Sequence, residues 1–211
     1  LSKIRHLRSF CRKKMESKED FVRMQIIEAS KTVFKKYGFK KATMNHIAKA
    51  SDKGRSTLYY YFQNKNEVFE AFVKAEYNRR IEKTFNNISK EFSIEKNLSN
   101  YRNIKLDHLI TLSNTYTYIL TDLKENAIFL YQLLDGIRAE EVSIIEKCIQ
   151  WAVEKQEIKS ISKKDINFLA FALVTVTDSL EKEIFLYQRF PKDMFDQLEW
   201  INQLMIKALQ H

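Results

Sequence analysis

Glycine and proline are scarce in this chain, which contains 3 glycines and 1 proline among 211 residues. A sheet protein of this size needs many tight turns, and these two residues are the ones that tight turns favour. The scarcity therefore predicts an all-α fold of long helices joined by polar loops. The length suits one fair-sized domain, or a small domain fused to a larger one.

Positive charge is concentrated in the first third of the sequence. Residues 1–14 have a net charge of +6, residues 15–74 have +5, and residues 75–211 have −2. A basic segment joined to a nearly neutral remainder is typical of a part that binds a polyanion attached to a part with another task. Charge alone is equally compatible with a basic face that only contacts solvent.

The first residues raise a question about the native start of the chain. The sequence begins at Leu1, whereas Met15 begins a more typical N-terminal sequence, MESKED. Residues 1–14 are either an added segment or an upstream extension. Without them the net charge is +3, so the charge argument depends on residues 15–74.

The sequence lacks the patterns of catalytic, metal-binding and membrane-spanning sites. The four histidines are scattered, and neither Cys11 nor Cys148 has a cysteine or histidine cluster beside it. We find no nucleophile motif, glycine-rich phosphate loop or metal-ligand spacing. No apolar run of about 18 residues, the length that a membrane span needs, occurs. We therefore predict a protein that is not an enzyme, uses no cofactor or metal, and works in the reducing cytoplasm.

Residues 19–37 predict the first helix. Their apolar side chains have the spacing of one helical face, and Gly38 is the residue type that favours a helix C-terminus. The expected inward-facing residues are Phe21, Met24, Ile27, Phe34 and Tyr37.

Two short helices separated by a tight turn follow. Thr43 is the expected N-cap of the first, residues 44–50, and residues 51–54 have turn chemistry. The second short helix is predicted over residues 55–61 and a long helix over residues 65–88. Helices this short are marginal in water, so they must pack on neighbouring helices. A basic helix–turn–helix unit is typical of DNA-binding proteins, in which the second helix enters the major groove.

Residues 26–73 resemble the N-terminal DNA-binding domain of the TetR family of transcriptional regulators. The resemblance is ungapped over about 50 residues and rests on four signatures, namely IIEA, F…YGF, AT…IA and TLYYYF.NK.E. It implies an N-terminal three-helix helix-turn-helix domain, joined by a long helix to an all-helical domain that binds ligand and dimerises. The domain limits that we predict are a basic extension at 1–18, the DNA-binding domain at 19–66 with a linker helix at 65–88, and the helical domain at 75–211.

The corner between the two short helices departs from the family pattern. That pattern is Ala-Gly-Val-Ser, and this chain has Ser51, Asp52, Lys53 and Gly54 at these positions. A lysine in place of the usual apolar corner residue can reach a phosphate. Glycine in place of the N-cap serine weakens capping only slightly.

Helical spacing separates the inward from the outward side chains of the second short helix. Leu58, Tyr61 and Phe62 lie where they can dock on the first helix, which leaves Tyr59 and Tyr60 pointing outward. A tyrosine offers its ring to thymine methyls and its hydroxyl to a phosphate oxygen. The alternative is that both rings only pack inside the protein.

The resemblance implies DNA contacts for both outward tyrosines, and helix starts add further candidates. Side chains at the N-terminal end of a recognition helix reach base edges, and an arginine there can bind guanine in bidentate fashion. Residues at helix starts can hold phosphates. The predicted DNA-binding residues are Thr43, Lys53, Arg55, Ser56, Thr57, Tyr59, Tyr60 and Lys65.

Residues 75–211 predict helices almost throughout. Polar interruptions are expected near residues 93–103, 121–126, 135–139 and 157–164. The last two helical segments are apolar on two sides, which indicates burial on two sides. An intrachain core is one explanation, whereas the resemblance implies a four-helix bundle formed with a second copy. The predicted dimerisation residues are Leu169, Leu173, Val176, Leu180, Ile184, Leu198, Ile201 and Met205.

Aromatic residues between the two ends of the chain line either a pocket or a plain core. The resemblance implies an inducer pocket in this region, and an aromatic lining suits a flat or greasy molecule. Aromatics at helical spacing are more often core residues, so the ligand-binding residues stay unknown. The candidates are Tyr101, Tyr116, Tyr118, Phe129, Tyr131 and Trp151.

These features together predict a ligand-responsive, homodimeric transcriptional regulator. In the favoured form it is a repressor that a small-molecule inducer releases from a palindromic operator in double-stranded DNA. The alternative is a TetR-like regulator that a partner protein controls, or one without a small-molecule ligand.

Overall fold

The computed structural model describes residues 17–124, 127–183 and 194–210, and it describes the side chains of these residues except in 123–137 and 194–195. All regular structure in these ranges is helical, which confirms the predicted fold class. The helices are α1 (Lys18–Tyr37), α2 (Met44–Ala50), α3 (Arg55–Tyr61), α4 (Lys65–Asn86), α5 (Ile94–Thr115), α6 (Thr117–Lys124), α7 (Ala127–Glu154), α8 (Lys163–Glu181) and α9 (Met194–Gln210).

The chain forms two compact units. The first ends at Glu82 and also contains Asn114–Ala127, and the second contains Lys83–Ser113 and the chain from Ile128 onward. The predicted domain limits stay a prediction, because the compactness of a unit does not test whether it functions alone. Residues 1–16 of the predicted basic extension lie outside the described residues.

Local signals set the ends of α1, α2 and α3 as predicted. The Thr43 side chain accepts a hydrogen bond from the His46 amide at 3.2 Å and so caps α2. At the corner before α3, Asp52 adopts a φ of 51°, a left-handed conformation that an aspartate tolerates better than most residues. Gly54 begins α3 without a side-chain cap.

The core of the first unit corrects the predicted face of α1. Ile27 and Phe34 are buried as expected, but Phe21 and Met24 are exposed. Other positions of α1 contribute instead, because the helices packed on α1 cover a stripe rotated from the predicted one. The core residues of α1 to α4 that are less than one-tenth exposed include Ile26, Ile27, Val33, Phe34, Ile47, Leu58, Phe62, Val68, Phe69 and Phe72.

The turn after α1 is held from two sides. The Lys65 ammonium of α4 donates to the carbonyls of Phe39 and Lys40 at 2.7 and 3.1 Å. Asp122 Oδ2 of α6 accepts from the amides of the same two residues at 2.7 and 2.9 Å. Gly38, just before them, has a φ of 69° and a ψ of −170°, a region that only glycine readily occupies.

The second unit has an apolar core crossed by buried charge. Ile144, Ile145, Cys148 and Ile149 of α7 are almost fully buried, and burial raises the pKa of the Cys148 thiol to about 12. Lys105 of α5 is buried nearby in the same unit, and its ammonium binds carboxylates of α7 and α8. These partners are Glu141 at 2.8 Å, Asp178 at 2.7 Å and Glu181 at 3.3 Å.

Two of the predicted polar interruptions are wrong. Helix α5 runs through most of residues 93–103, and α7 runs through residues 135–139. The polar side chains of α5 are tolerated inside the unit because they are paired: Asn97 bonds to the backbone of Ser89, and Arg102 forms an ion pair with Glu199. The interruption at residues 157–164 largely matches the connection between α7 and α8. Among the described residues, no helix is both long and apolar enough to cross a membrane.

Candidate nucleic-acid interface

Helix α3 presents polar and aromatic side chains to solvent, and the predicted inward residue Tyr61 is only half-buried. Leu58 is fully buried and Phe62 nearly so, as the spacing predicted. Arg55, Ser56, Thr57, Tyr59 and Tyr60 are all exposed. The exposed fraction reaches 40% for Tyr59 and 71% for Tyr60. A hydrophobic contact explains the inward side chains, and it does not explain the outward ones.

The exposed side chains at the start of α3 are partly ordered by each other. The Arg55 guanidinium lies 5.6 Å from the centre of the Tyr59 ring, one helical turn further on. A cation over an aromatic face is attracted by the ring quadrupole. This contact restrains the arginine while its hydrogen-bond donors stay available for a guanine edge.

Tyr60 is exposed, but it has a partner that the sequence did not indicate. Its hydroxyl donates to Glu19 Oε1 in the first turn of α1 at 3.0 Å. The ring meets that of Tyr61 edge to face, with 5.0 Å between the centroids. The hydrogen bond and the negative charge of Glu19 raise the pKa of the Tyr60 phenol.

Arg23 fastens α1 to the C-terminal end of α3. Its Nη1 donates to the Tyr61 carbonyl at 3.0 Å, and its guanidinium lies 4.2 Å from the centre of the Phe62 ring. Sequence reasoning missed both Glu19 and Arg23. The only available signal was their i, i+4 spacing, which puts them on one side of α1.

The two other polar candidates before α3 differ in accessibility. Thr43 is exposed, and its hydroxyl oxygen already caps α2. Lys53 is half-buried at the corner, where its amide donates to the Ala48 carbonyl at 3.1 Å. The hydroxyl hydrogen of Thr43 and the ammonium of Lys53 are the groups with which these residues would bind a phosphate.

Lys65 makes more contacts within the protein than the sequence indicated. Besides its two bonds to carbonyl oxygens, its ammonium lies 4.7 Å from the centre of the Phe39 ring. Partial burial lowers its pKa, which the nearby Asp122 charge opposes. An ammonium has three donors, so one N–H beyond the two carbonyl bonds remains for a phosphate.

His46 packs rather than faces outward. Its ring stacks on Tyr37, with 4.3 Å between the centroids and 14° between the planes. Its Nδ1 is buried and has no hydrogen-bond partner among the described residues. A phosphate contact from this ring is therefore disfavoured.

The predicted dimerisation residues are divided by their exposure. Val176 and Ile201 are exposed, whereas Leu198 is buried in a small cluster with Leu106 of the same chain, which disfavours a contact with a partner. Ile184 lies outside the described residues. The other predicted residues are half-buried: Leu169, Leu173, Leu180 and Met205.

An exposed apolar strip on α8 and α9 extends beyond the predicted set. Large apolar side chains that are exposed together often mark an interaction surface. Phe168 is 70% exposed and Trp200 is 60% exposed. The strip consists of Phe168, Phe171, Val176, Trp200, Ile201 and Leu204.

The aromatic candidates for a ligand pocket do not converge on one place. Tyr101 is buried in the second unit and donates to Glu141, whereas Tyr116 and Tyr118 belong to the first unit. Trp151 is half-buried, and its ring lies 5.4 Å from the Lys147 ammonium. The side chains of Phe129 and Tyr131 lie outside the described residues.

A small cavity lies in the second unit among α5, α7, α8 and α9. Its volume is about 40 Å³, and its walls are mainly apolar, with Leu98, Leu173 and Leu180 among them. Arg102 lines it with Nε and Nη1 that have no partner among the described residues. A water occupies roughly 10–15 Å³ by this kind of measure, so the cavity has room for only a few waters.

Comparisons with known proteins place this geometry in a family. Residues 26–72 match the family model described as bacterial regulatory proteins, tetR family. The uncharacterized HTH-type transcriptional regulator YhgD of Bacillus subtilis is 40% identical over 45 residues, which are 21% of this chain and 24% of that protein. The fatty acid metabolism regulator protein of Bacillus subtilis is 23% identical over 136 residues, which are 64% of this chain and 70% of that protein.

Solved structures have the same fold over most of the chain. A transcriptional regulator from Cytophaga hutchinsonii is 26% identical, with a TM-score of 0.65 that covers 88% of this chain and 97% of that one. A TetR-family transcriptional regulator from Syntrophomonas wolfei is 13% identical, with a TM-score of 0.67 over 88% of this chain and 94% of that one. Residues 26–72, which carry the exposed α3 on a helix-turn-helix, therefore form a DNA-binding domain of the TetR family of transcriptional regulators.

Proposed function

We propose that the protein is a homodimeric repressor, which binds a palindromic operator in the cytoplasm and leaves it when a small-molecule inducer binds. The observation that carries the DNA-binding part is the exposed side of α3. Arg55, Ser56, Thr57, Tyr59 and Tyr60 all face solvent on a helix whose other side is buried in a rigid core. Such a helix inserts into a major groove without rearranging the core.

Each exposed residue has a task that its chemistry suits. Arg55 pairs with the O6 and N7 atoms of guanine, and Ser56 and Thr57 bind base edges or phosphates. Tyr59 and Tyr60 cover thymine methyls with their rings and bind phosphates through their hydroxyls.

Thr43, Lys53 and Lys65 surround α3 in sequence and supply phosphate contacts. These contacts fix the position of the protein on the duplex and carry no sequence information themselves.

Arg55 gives the sharpest test of this assignment. The probe is a duplex selected by the wild-type protein from a random pool that is long enough for two half-sites one helical turn apart. Arg55→Ala removes charge and hydrogen bonds, whereas Arg55→Lys keeps the charge and loses the planar fork. We expect both variants to lose roughly ten- to hundredfold in affinity for the selected duplex, and Arg55→Lys to keep its affinity for unrelated DNA. Equal affinity of all three proteins for the selected duplex would exclude base reading by Arg55.

The exposed apolar strip on α8 and α9 supports a second copy of the chain as the partner. A dimer pairs the same surface of both protomers, so a strip of Phe168, Trp200 and their apolar neighbours would pack against itself. The two-fold axis would also present two recognition helices to a palindromic site.

Trp200→Glu tests the dimer directly. We expect a charge in the strip to give monomers in light scattering, because a dimer would bury it unpaired. Phe21→Glu is the matched control, since Phe21 is also an exposed aromatic but lies on α1 in the first unit. A dimer mass for Trp200→Glu would remove the strip from the interface.

A small-molecule inducer completes the proposed mechanism. Its support is the family and the structural neighbours, which include SmeT in complex with triclosan. Binding of an inducer and of DNA would oppose each other by a shared coupling energy, which is typically about 1–3 kcal/mol.

The small cavity favours a second candidate function, in which a partner protein or no ligand controls the regulator. A site for a drug-sized molecule has a volume of roughly 300–1,000 Å³. The cavity of about 40 Å³ is far smaller, so a drug-sized inducer at this place would have to open it. Native mass spectrometry of the purified protein, followed by a thermal-shift screen, separates the two candidates. A stabilising compound that also releases DNA supports the inducer, and stabilisation by no compound supports a regulator that a partner protein controls or that has no small-molecule ligand.

A further inference from the structure

The hydroxyl of Tyr60 has a partner within the protein, on the face that the proposed function assigns to DNA. It donates to Glu19 Oε1 at 3.0 Å, across 41 residues of sequence. Both side chains are exposed, so burial in the core does not cause their contact. The contact therefore needs a cause in the way that α1 and α3 are fastened together.

Arg23 supplies that cause. It lies one turn after Glu19 on α1, so the two side chains lie on the same side of the helix. Arg23 donates to the Tyr61 carbonyl at 3.0 Å and covers the Phe62 ring. This anchor holds the first turn of α1 beside the C-terminal end of α3. Glu19 is also favoured in that first turn because the helix dipole attracts negative charge to a helix N-terminus.

The chemistry of the contact conflicts with DNA binding. A phenol has one proton to donate, and a phosphate oxygen is only an acceptor. While the hydroxyl donates to Glu19 it cannot donate to a phosphate. A carboxylate beside that hydroxyl also repels the incoming phosphate.

We infer that Glu19 is a positioning residue, which holds the Tyr60 hydroxyl in the unbound protein and lowers DNA affinity until a phosphate replaces it. This inference rests on the proposed DNA-binding role of Tyr60. The contact is exposed, and exposed ionic contacts are weak, so the expected effect on affinity is about two- to fivefold per recognition helix. DNA binding then depends on a phosphate whose oxygen can replace Glu19 as the hydrogen-bond acceptor of the Tyr60 hydroxyl.

A double-mutant cycle on Glu19 and Tyr60 tests the inference. The proteins are the wild type, Glu19→Gln, Tyr60→Phe and the double variant, with the duplex that the wild type selects from a random pool. Affinity is measured by fluorescence anisotropy at one fixed salt concentration, since salt alone changes such affinities. Asp20→Asn, made in both the wild-type and the Tyr60→Phe background, is the matched control, because Asp20 lies in the same helical turn and bonds to Ser17 rather than to Tyr60.

The expected result is a gain that depends on the hydroxyl. Because the proposed dimer has two recognition helices, Glu19→Gln binds DNA about four- to twenty-fivefold more tightly than the wild type, and more tightly than Asp20→Asn. In the Tyr60→Phe background, Glu19→Gln and Asp20→Asn give equal gains in DNA affinity. In nuclear magnetic resonance titrations of labelled tyrosines, Glu19→Gln lowers the pKa of Tyr60 and Asp20→Asn leaves it unchanged.

Three results would overturn the inference, and one of them would also overturn the proposed DNA binding. Equal gains from Glu19→Gln and Asp20→Asn in the wild-type background would mean that only net charge matters. A gain from Glu19→Gln that persists undiminished in Tyr60→Phe would show that the hydroxyl has no part in it. If the wild type selects no duplex at all, the proposed DNA binding fails and the inference fails with it, whereas selection without coupling overturns the inference alone.

Discussion

Replacing Gly38 by alanine should destabilise the first unit through two separate effects. The backbone at Gly38 has a φ of 69° and a ψ of −170°, where a residue other than glycine costs about 1–3 kcal/mol. A Cβ built there lies 2.8 Å from Asp122 Oδ2 and 2.8 Å from Tyr118 Cβ. Crowding of this kind typically costs about 1–3 kcal/mol. Together we expect a loss of about 2–6 kcal/mol in the free energy of unfolding.

Thermal unfolding followed by circular dichroism measures this loss. For a chain of this length, each kcal/mol shifts Tm by roughly 2–4 °C, so Gly38→Ala should melt about 4–24 °C below the wild type. Gly54→Ala is the matched control, because its φ of −60° suits alanine and the nearest atoms to its Cβ are 3.9 Å away. Its change should stay within about 1 kcal/mol, since a less flexible unfolded chain offsets a weaker cap. Equal melting temperatures for the two variants would refute the reasoning about the backbone and the crowding.

Three further changes test other contacts of the first unit. Asp122→Ala leaves the two amides of the turn after α1 without their acceptor and should cost about 2 kcal/mol in urea unfolding, with Asp122→Asn costing about half as much. Burial, and then the charges of Glu76 and Glu28, raise the pKa of Tyr116 to about 12 from 10.0. The unfolded phenol therefore loses its proton first, so stability should fall between pH 9 and pH 11 by about 1 kcal/mol more in the wild type than in Tyr116→Phe. Lys65→Gln should lower the free energy of unfolding by about 1–2 kcal/mol. It should also reduce the slope of log affinity for DNA against log salt concentration by about 1, the value of one phosphate contact. An unchanged slope would leave Lys65 with a structural role only.

Local signals in the sequence predicted the helix-turn-helix well because its boundaries depend on adjacent residues. The cap at Thr43 and the left-handed corner at Asp52 each involve atoms only a few residues apart. The buried position of Leu58 and the exposed position of Tyr60 follow from spacing on one helix. Such features need no knowledge of which elements meet in space.

The features that the sequence did not predict depend on partners far along the chain. Phe21 and Met24 formed a plausible apolar face of α1, and only the packed helices select the stripe that contains Ile26 instead. Residues 93–103 resembled a loop because their polar side chains find partners elsewhere, as Arg102 does with Glu199 across 97 residues. The candidate site was incompletely predicted for the same reason. The partner of Tyr60 lies 41 residues away in Glu19, and no pattern in α3 points to it.

The turn after α1 links these observations to DNA binding within the first unit. Lys65 binds its carbonyls, Asp122 binds its amides, and Gly38 gives α6 the room to approach. Thr43 caps α2 only three residues after this turn, so the turn sets where α2 begins. Helix α3 follows α2 across a tight corner, so the position of α2 determines that of α3. We therefore expect a change at Asp122 to alter DNA affinity without any contact between Asp122 and DNA, because a recognition helix displaced by about 1 Å loses hydrogen bonds whose geometry is narrow.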